Sequence, residues 1–324
     1  MPAILGIDIS KAEFDVALVQ DGRTKTGVFP NTPQGFSKLG RWLKKQGVET
    51  VHACLEATGT YGEALAEFLH ATGRQVSVVN PAQIKAYAQS QLVRNKTDQA
   101  DARLIADFCA TQHPALWTPP APEWKELQAL VRHLDSLKTM RQQERNRLSA
   151  GLSSATVEQA LHEHIAFLDH QIAALEQQIQ DHIDHHPDLK HQQDLLKSIP
   201  GIGGQTAFIL LAEIRSIPAF ASARQLAAFA GLSPRQRRSG TSVRGQTRLS
   251  KTGSARLRKA LYMPAIVAWR FNPLIATFCQ RLAARGKPKM VILGAAMRKL
   301  LHLVYGVLKS GQPFDPDYAS KAAS

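Results

Sequence analysis

Three prolines fall within four positions, at Pro119, Pro120 and Pro122. Each lacks a backbone N–H and fixes φ, so neither a helix nor an inner strand runs through this stretch, and it separates parts of the chain that fold on different patterns. On its N-terminal side, apolar runs with β-branched residues predict strands over Ala3 to Ile9, Phe14 to Val19, Thr24 to Phe29, Thr50 to Leu55 and Gln75 to Val79. Helical patterns cover Pro33 to Gln46, Tyr61 to Ala71, Pro81 to Leu92 and Asp98 to Thr111. Three strands in succession, then strands alternating with helices, predict a mixed sheet flanked by helices.

On the C-terminal side the pattern changes. Leu127, Leu130, Leu134 and Leu137 recur at three- and four-residue steps, as do Ile165, Leu168, Ile172, Leu175 and Ile179. Two long helices with apolar seams follow, broken near Gly151 to Thr156, which predicts an antiparallel coiled-coil hairpin of the kind that also pairs with a second subunit. His182, His185 and His186 have no Cys or acidic cluster to complete a metal-ligand set and read as a polar helix end. A last, mostly helical region opens at Ser198-Ile199-Pro200-Gly201-Ile202-Gly203, with turn signals at Pro218 and Ser239-Gly240. The expected organisation is an α/β domain over residues 1–117, a coiled-coil connector over 118–194 and a mainly α domain over 195–324.

Composition narrows the function. With 44% hydrophobic and 20% charged residues the chain is an ordinary globular protein. No apolar run is long enough to cross a bilayer and the N-terminus lacks a basic leader with a cleavage site, which predicts a cytoplasmic protein and no membrane partner. Cys54, Cys109 and Cys279 sit apart in apolar surroundings and read as small core residues. From Ser216 onward there are 19 Lys and Arg against two acids, Asp315 and Asp317, a balance of +17; the remaining 215 residues hold 21 basic and 24 acidic, a balance of −3. Charge so concentrated points to a polyanion, because cations that neutralise phosphates release condensed counterions.

Four acids stand out. Asp8 and Glu56 end otherwise apolar strands, and Asp98 and Asp101 lie three apart on one face of a helix start. Converging at a sheet edge, such oxygen ligands suit Mg²⁺ or Mn²⁺, and a pair of ions about 3.5–4 Å apart activates one oxygen and stabilises another in phosphoryl transfer. Taken singly, each has a structural reading: Asp98 and Asp101 favour a helix N-terminus behind the capping residue Thr97, and Asp8 fixes a turn. Asp15 and Asp107 are further acids of lower rank.

Two basic or glycine-rich segments complete the pattern. Gly201 and Gly203 precede the apolar helix Thr206 to Ile214 as in a helix-hairpin-helix, where glycine lets N–H groups approach a phosphate; a plain helix-to-helix turn has the same signature. Arg235, Arg237, Arg238 and Arg244 surround Ser239-Gly240-Thr241-Ser242, and Arg248, Lys251, Arg256, Arg258 and Lys259 follow. A serine beside several guanidiniums is placed to attack a phosphodiester; equally, the hydroxyls only bind phosphate, or Ser-Gly-Thr is only a turn.

Taken together, Gly6-Ile7-Asp8-Ile9-Ser10-Lys11, Leu55-Glu56-Ala57-Thr58-Gly59, Lys96-Thr97-Asp98-Gln99-Ala100-Asp101-Ala102, Ile199-Pro200-Gly201-Ile202-Gly203, Arg238-Ser239-Gly240 and Lys251-Thr252-Gly253 resemble the DEDD transposases of the insertion-sequence one-ten family, related to the Piv and MooV invertases. The resemblance spans almost the whole chain in order. It implies a RuvC-like, ribonuclease-H-type first domain whose tetrad maps onto Asp8, Glu56, Asp98 and Asp101, and a C-terminal transposase domain whose catalytic serine matches Ser239. It further implies a tetramer guided by a bridge RNA that pairs with donor and target double-stranded DNA and exchanges strands through phosphoserine. A junction nuclease that uses water, and a non-catalytic nucleic-acid-binding protein, are the competing readings of the residues.

Overall fold

The computed structural model describes residues 3–57, 59, 61–92, 97–151, 154–235, 238–239, 243–244 and 248–317, with only the backbone described at 238, 239, 243 and 244. The chain divides into two units, Met1–Pro119 and Pro120–Ser324.

Unit one is built on β1 (Ala3–Ile9), β2 (Glu13–Gln20), β3 (Arg23–Pro30), β4 (Val51–Glu56) and β5 (Gln75–Val79), with α1 (Pro33–Lys45), α2 (Glu63–Ala71), α3 (Pro81–Ser90) and α4 (Asp98–Gln112). The sheet order is β3-β2-β1-β4-β5. β1 to β3 form an antiparallel meander, and β4 and β5 run parallel to β1. This is the ribonuclease-H-type topology that the resemblance implied. Strand parity decides what each face holds. Leu5, Ile7, Phe14, Val16, Leu18, Ala53 and Leu55 point to one side, where they share a core with Phe36, Leu39 and Leu43 of α1 and Leu65 and Leu69 of α2. The other face is lined by small residues: Ala17 of β2 clusters with Ala102 and Ala106 of α4. Gly6 completes the fit, since a Cβ there would lie 2.1 Å from the Ala102 carbonyl oxygen and 2.3 Å from the Ala106 nitrogen. Helix α4 therefore lies with its backbone directly against β1.

Unit two is helical: α5 (Pro122–Ser149), α6 (Ala155–Asp184), α7 (Pro187–Lys197), α8 (Gly204–Ile214), a 3₁₀ turn (Ile217–Ala219), α9 (Ala223–Phe229), α10 (Ala255–Ala260), α11 (Tyr262–Phe271), α12 (Pro273–Ala284) and α13 (Lys289–Ser310). The seam residues Leu127, Leu134 and Leu137 of α5 and Leu168, Ile172, Leu175 and Ile179 of α6 are buried in one apolar cluster that continues through α7, α8 and α13. The expected division at residues 194 and 195 runs through this shared core. Beyond Leu137 and before Leu168 no described residue of the hairpin is buried. Along this part of α5, Arg141 and Arg145 donate to Asp169, and Glu144 faces Arg147 and His164.

Two features depart from expectation. Four strands of two residues, β6 (Pro234–Arg235), β7 (Arg238–Ser239), β8 (Val243–Arg244) and β9 (Arg248–Leu249), form two small ladders where only a turn was predicted; strands this short carry no alternation to read. Helix α13 is also long and apolar enough by composition to cross a membrane, where the sequence reading found no apolar run of that length. Its Leu300, Leu301 and Val304 are fully buried in the unit-two core.

Candidate active site

The same parity that sorts the core sorts the acids. Asp8 is directly opposite Asp15 in the β1–β2 ladder. Ile7 pairs with Leu55 across the parallel β1–β4 ladder, so Glu56 comes level with Asp8 on the neighbouring strand. All three belong to the strand face that carries α4. Thr97 caps α4 by accepting from the Ala100 N–H at 3.2 Å, and Asp98 and Asp101 occupy the first turn. Because Gly6 admits α4 at Ala102, that first turn begins beside the end of β1.

The electrostatics register this convergence. The Asp8 carboxyl is pushed up from 3.8 to about 6, first by burial and then by the negative charges of Asp101, Asp98, Glu56 and Asp15. Asp15, only 7% exposed, is itself raised by burial, Asp98 and Glu13. Five carboxylates from three strands and a helix thus share one field, and Asp15, which the sequence ranked low, is among them. The signal that would have promoted it was its even parity with Asp8 across a two-strand meander. Asp107 lies apart, accepting a hydrogen bond from the Tyr87 hydroxyl. Among the described residues no group of three or more His, Cys, Asp or Glu is gathered closely enough to hold a metal ion as it stands. The donors nevertheless fit a hard divalent cation in kind and charge, since the burial and mutual repulsion that raise the Asp8 carboxyl are what a cation relieves.

In unit two the predicted basic residues divide by role. Arg235 and Arg248 are direct partners in the β6–β9 ladder, and the register repeats at Arg238 and Arg244 in β7–β8. Like charges set opposite one another are unfavourable without an anion between them. Arg237 and Ser242 lie outside the described residues, and for Ser239 the backbone alone is placed, paired with Val243. Arg256 is exposed, whereas Lys259 pairs with Asp135 at 3.0 Å.

Arg258 does something else: its guanidinium donates to the carbonyls of Ala230, at 3.1 Å, and Lys251, at 3.3 Å. It ties together the two chain ends from which the basic arm departs, helped by bonds from the Lys251 N–H to the Gly231 carbonyl and the Ser254 N–H to the Phe229 carbonyl. Gly231, at φ +68°, and Gly253, at φ +128°, make this knot possible. Arg258→Ala should therefore lower the melting temperature by a few degrees, through about 1.5–3 kcal/mol of lost charged hydrogen bonding. The salt dependence of DNA binding should not change; a slope reduced by about one would show a phosphate contact instead.

Gly201 and Gly203 also separate. Gly201, at φ +107°, would press a Cβ to 2.7 Å from that of Ala268, so close packing on α11 requires it. Gly203 heads α8 as its N-cap with nothing within 4 Å of an added Cβ.

A ribonuclease-H-type sheet with clustered carboxylates, joined to a helical unit bearing opposed arginines, defines a class of polynucleotide-processing enzyme. Residues 5–156 match the transposase family profile of the IS110 DEDD kind, and residues 193–280 match that described as Transposase IS116/IS110/IS902 family. The chain is 39% identical to the pilin gene-inverting protein of Moraxella bovis over 96% of this chain and 97% of that one. To its counterpart in Moraxella lacunata it is 38% identical over the same shares. Among solved structures, Thermus thermophilus RuvC in complex with a Holliday junction substrate is similar at 16% identity and a TM-score of 0.28, covering 36% of this chain and 99% of that one. The chain belongs to the IS110 family of transposases, and is a DNA recombinase.

Proposed function

We propose that this recombinase holds Mg²⁺ or Mn²⁺ with Asp8, Glu56, Asp98 and Asp101, uses Ser239 as nucleophile, and is directed to donor and target DNA by a structured bridge RNA. What supports the metal site is the register that sets Asp8, Asp15 and Glu56 level on one sheet face, with the Asp8 carboxyl pushed up to about 6, first by burial and then by the four neighbouring acids. Asp15 stands behind Asp8 and adds negative charge to the set. When bound, the metal supplies the positive charge that phosphoryl transfer needs.

The serine and the arm follow from economy of bond energy. In strand exchange the Ser239 Oγ–P bond forms as one P–O ester bond breaks, and the departing sugar oxygen takes a proton. The reverse transfer to a new strand restores Ser239, so no external energy source is required. Arg238 and Arg244, register partners across β7–β8, flank the serine in sequence and supply charge for the equatorial oxygens. The α5–α6 hairpin serves as a coiled-coil connector through which copies assemble, up to a tetramer. The RNA is supported by the family resemblance and by the +17 balance after residue 216.

Ser239→Ala should bind DNA normally yet give no covalent adduct and no recombinant. Denaturing trapped reactions and mapping the DNA-linked peptide reads this directly. An adduct at Ser242 moves the assignment, and cleavage without any adduct in the wild type replaces the serine mechanism with attack by water. RNase treatment tests the guide: full site-specific activity after complete RNA removal rejects it.

A further inference from the structure

Helix α11 turns Pro264, Ala265 and Ala268 into the core. Its opposite side carries Met263, Val267 and Phe271 at four-residue steps, 62%, 41% and 69% exposed, and nearby on the first turn of α13 Met290 is 66% exposed. Between α11 and α13 lies a hollow of about 370 Å³ lined by Ile266, Trp269, Arg270, Lys289, Met290 and Leu293. That volume is at the lower end of the roughly 300–1,000 Å³ of small-ligand sites and holds one compact group rather than a helix.

Charge selects the occupant. The two ionic residues of the lining are both cations, and the sequence has no Asp or Glu anywhere from 214 to 314, so α9 to α13 bring no carboxylate of their own. A second copy docking face to face would set Arg270 and Lys289 against their like. An unstacked nucleotide meets every demand of the site: a flat apolar base for the indole and thioether, and a phosphate for the cations. Aromatic side chains among cations are how proteins hold unpaired bases.

We propose that the hollow between α11 and α13 binds one unstacked base of a single-stranded or bulged nucleic acid, with Arg270 and Lys289 on its phosphate and the Met263–Val267–Phe271 stripe receiving flanking bases. The assignment rests on the nucleic-acid reading above and adds a subsite for unpaired nucleotides that neither the acids nor the serine arm provides.

The test uses full-length protein, a fully paired DNA duplex, the same duplex with an unpaired thymidine bulge, and oligothymidylate. Phe271→Ser and Met290→Ser, both at exposed positions, should weaken the bulged probe roughly tenfold and leave the paired duplex unchanged. Oligothymidylate should quench wild-type tryptophan fluorescence, and the conservative Trp269→Phe should lose much of that quench. Unchanged affinity of both serine variants for the bulged probe overturns the site, as does an equal loss on both duplexes. If Phe271→Ser changes the mass in light scattering while nucleic-acid binding is kept, the face is a contact between copies and the assignment is wrong. Wild-type protein that binds no probe would remove both this site and the reading beneath it.

Discussion

Asp8→Asn should abolish plasmid recombination, by on the order of a thousandfold, and at the same time make the metal-free protein harder to melt. The two effects have one cause. In the folded chain the Asp8 carboxyl titrates near 6, against 3.8 ordinarily, so the folded state holds the proton more tightly than the unfolded one. The penalty for carrying the charge is absent below the ordinary value, grows between the two values and is complete above 6. A difference of about two in pKa sets a ceiling of about 3 kcal/mol, and because Asp8 is partly exposed, solvent reduces this to about 1–2 kcal/mol. The amide escapes it. At neutral pH the variant should therefore melt a few degrees higher than wild type without metal, and Mg²⁺ should raise the melting temperature of the wild type alone. Scanning calorimetry with and without Mg²⁺ checks both. A variant that loses activity and also melts lower would mark Asp8 as a structural residue.

Gly6→Ala should be nearly as damaging although Gly6 has no chemistry to lose. The added methyl meets the Ala102 carbonyl oxygen at 2.1 Å and the Ala106 nitrogen at 2.3 Å, both backbone atoms that no rotamer change can move aside. Helix α4 must shift off β1, at a cost of about 3 kcal/mol or more, and the shift moves Asp98 and Asp101 relative to Asp8. The expected result is a melting temperature lower by several degrees and recombination reduced at least a hundredfold even where the protein is folded, because a displacement of about 1 Å is enough to cost that much. Gly40→Ala is the control. Its new methyl would find only the Phe68 ring, at 3.9 Å, and replacing a mid-helix glycine in α1 should stabilise by about 0.5–1 kcal/mol. Equal behaviour of the two variants in thermal melts and in the recombination assay would refute the role given to Gly6.

The strands and the acids at their ends were legible because burial and charge are written locally: Leu5 and Ile7 point to one core, and an acid placed at the end of such a run needs a reason. What the sequence withheld depends on neighbours distant in the chain. Asp15 joins the cluster only because β2 pairs with β1 in the register that sets it opposite Asp8. Gly201 has a phosphate-binding signature, yet its conformation serves the contact with Ala268, 67 residues further on. Arg258 looks like its basic neighbours and instead closes the base of the arm, which depends on where the Ala230 carbonyl points. The burial of helix α13 in the unit-two core depends in the same way on the helices packed around it.

The α5–α6 hairpin joins two kinds of cohesion in one element. Its root, from Leu127 to Leu137 and from Leu168 to Ile183, is held by apolar burial, while beyond Leu137 helix α5 is held to α6 by the ion pairs of Arg141 and Arg145 with Asp169. Ionic strength acts on these in opposite senses. The Debye length is about 8 Å at physiological salt and shortens as salt rises, which weakens exposed ion pairs, whereas excluded salts such as sulfate strengthen burial. The distal stretch of α5 from Lys138 to Ser149, about 18 Å at 1.5 Å per residue, is thus a lever with a stiff fulcrum and a compliance set by the surrounding electrolyte. A rise in salt concentration would let this lever swing.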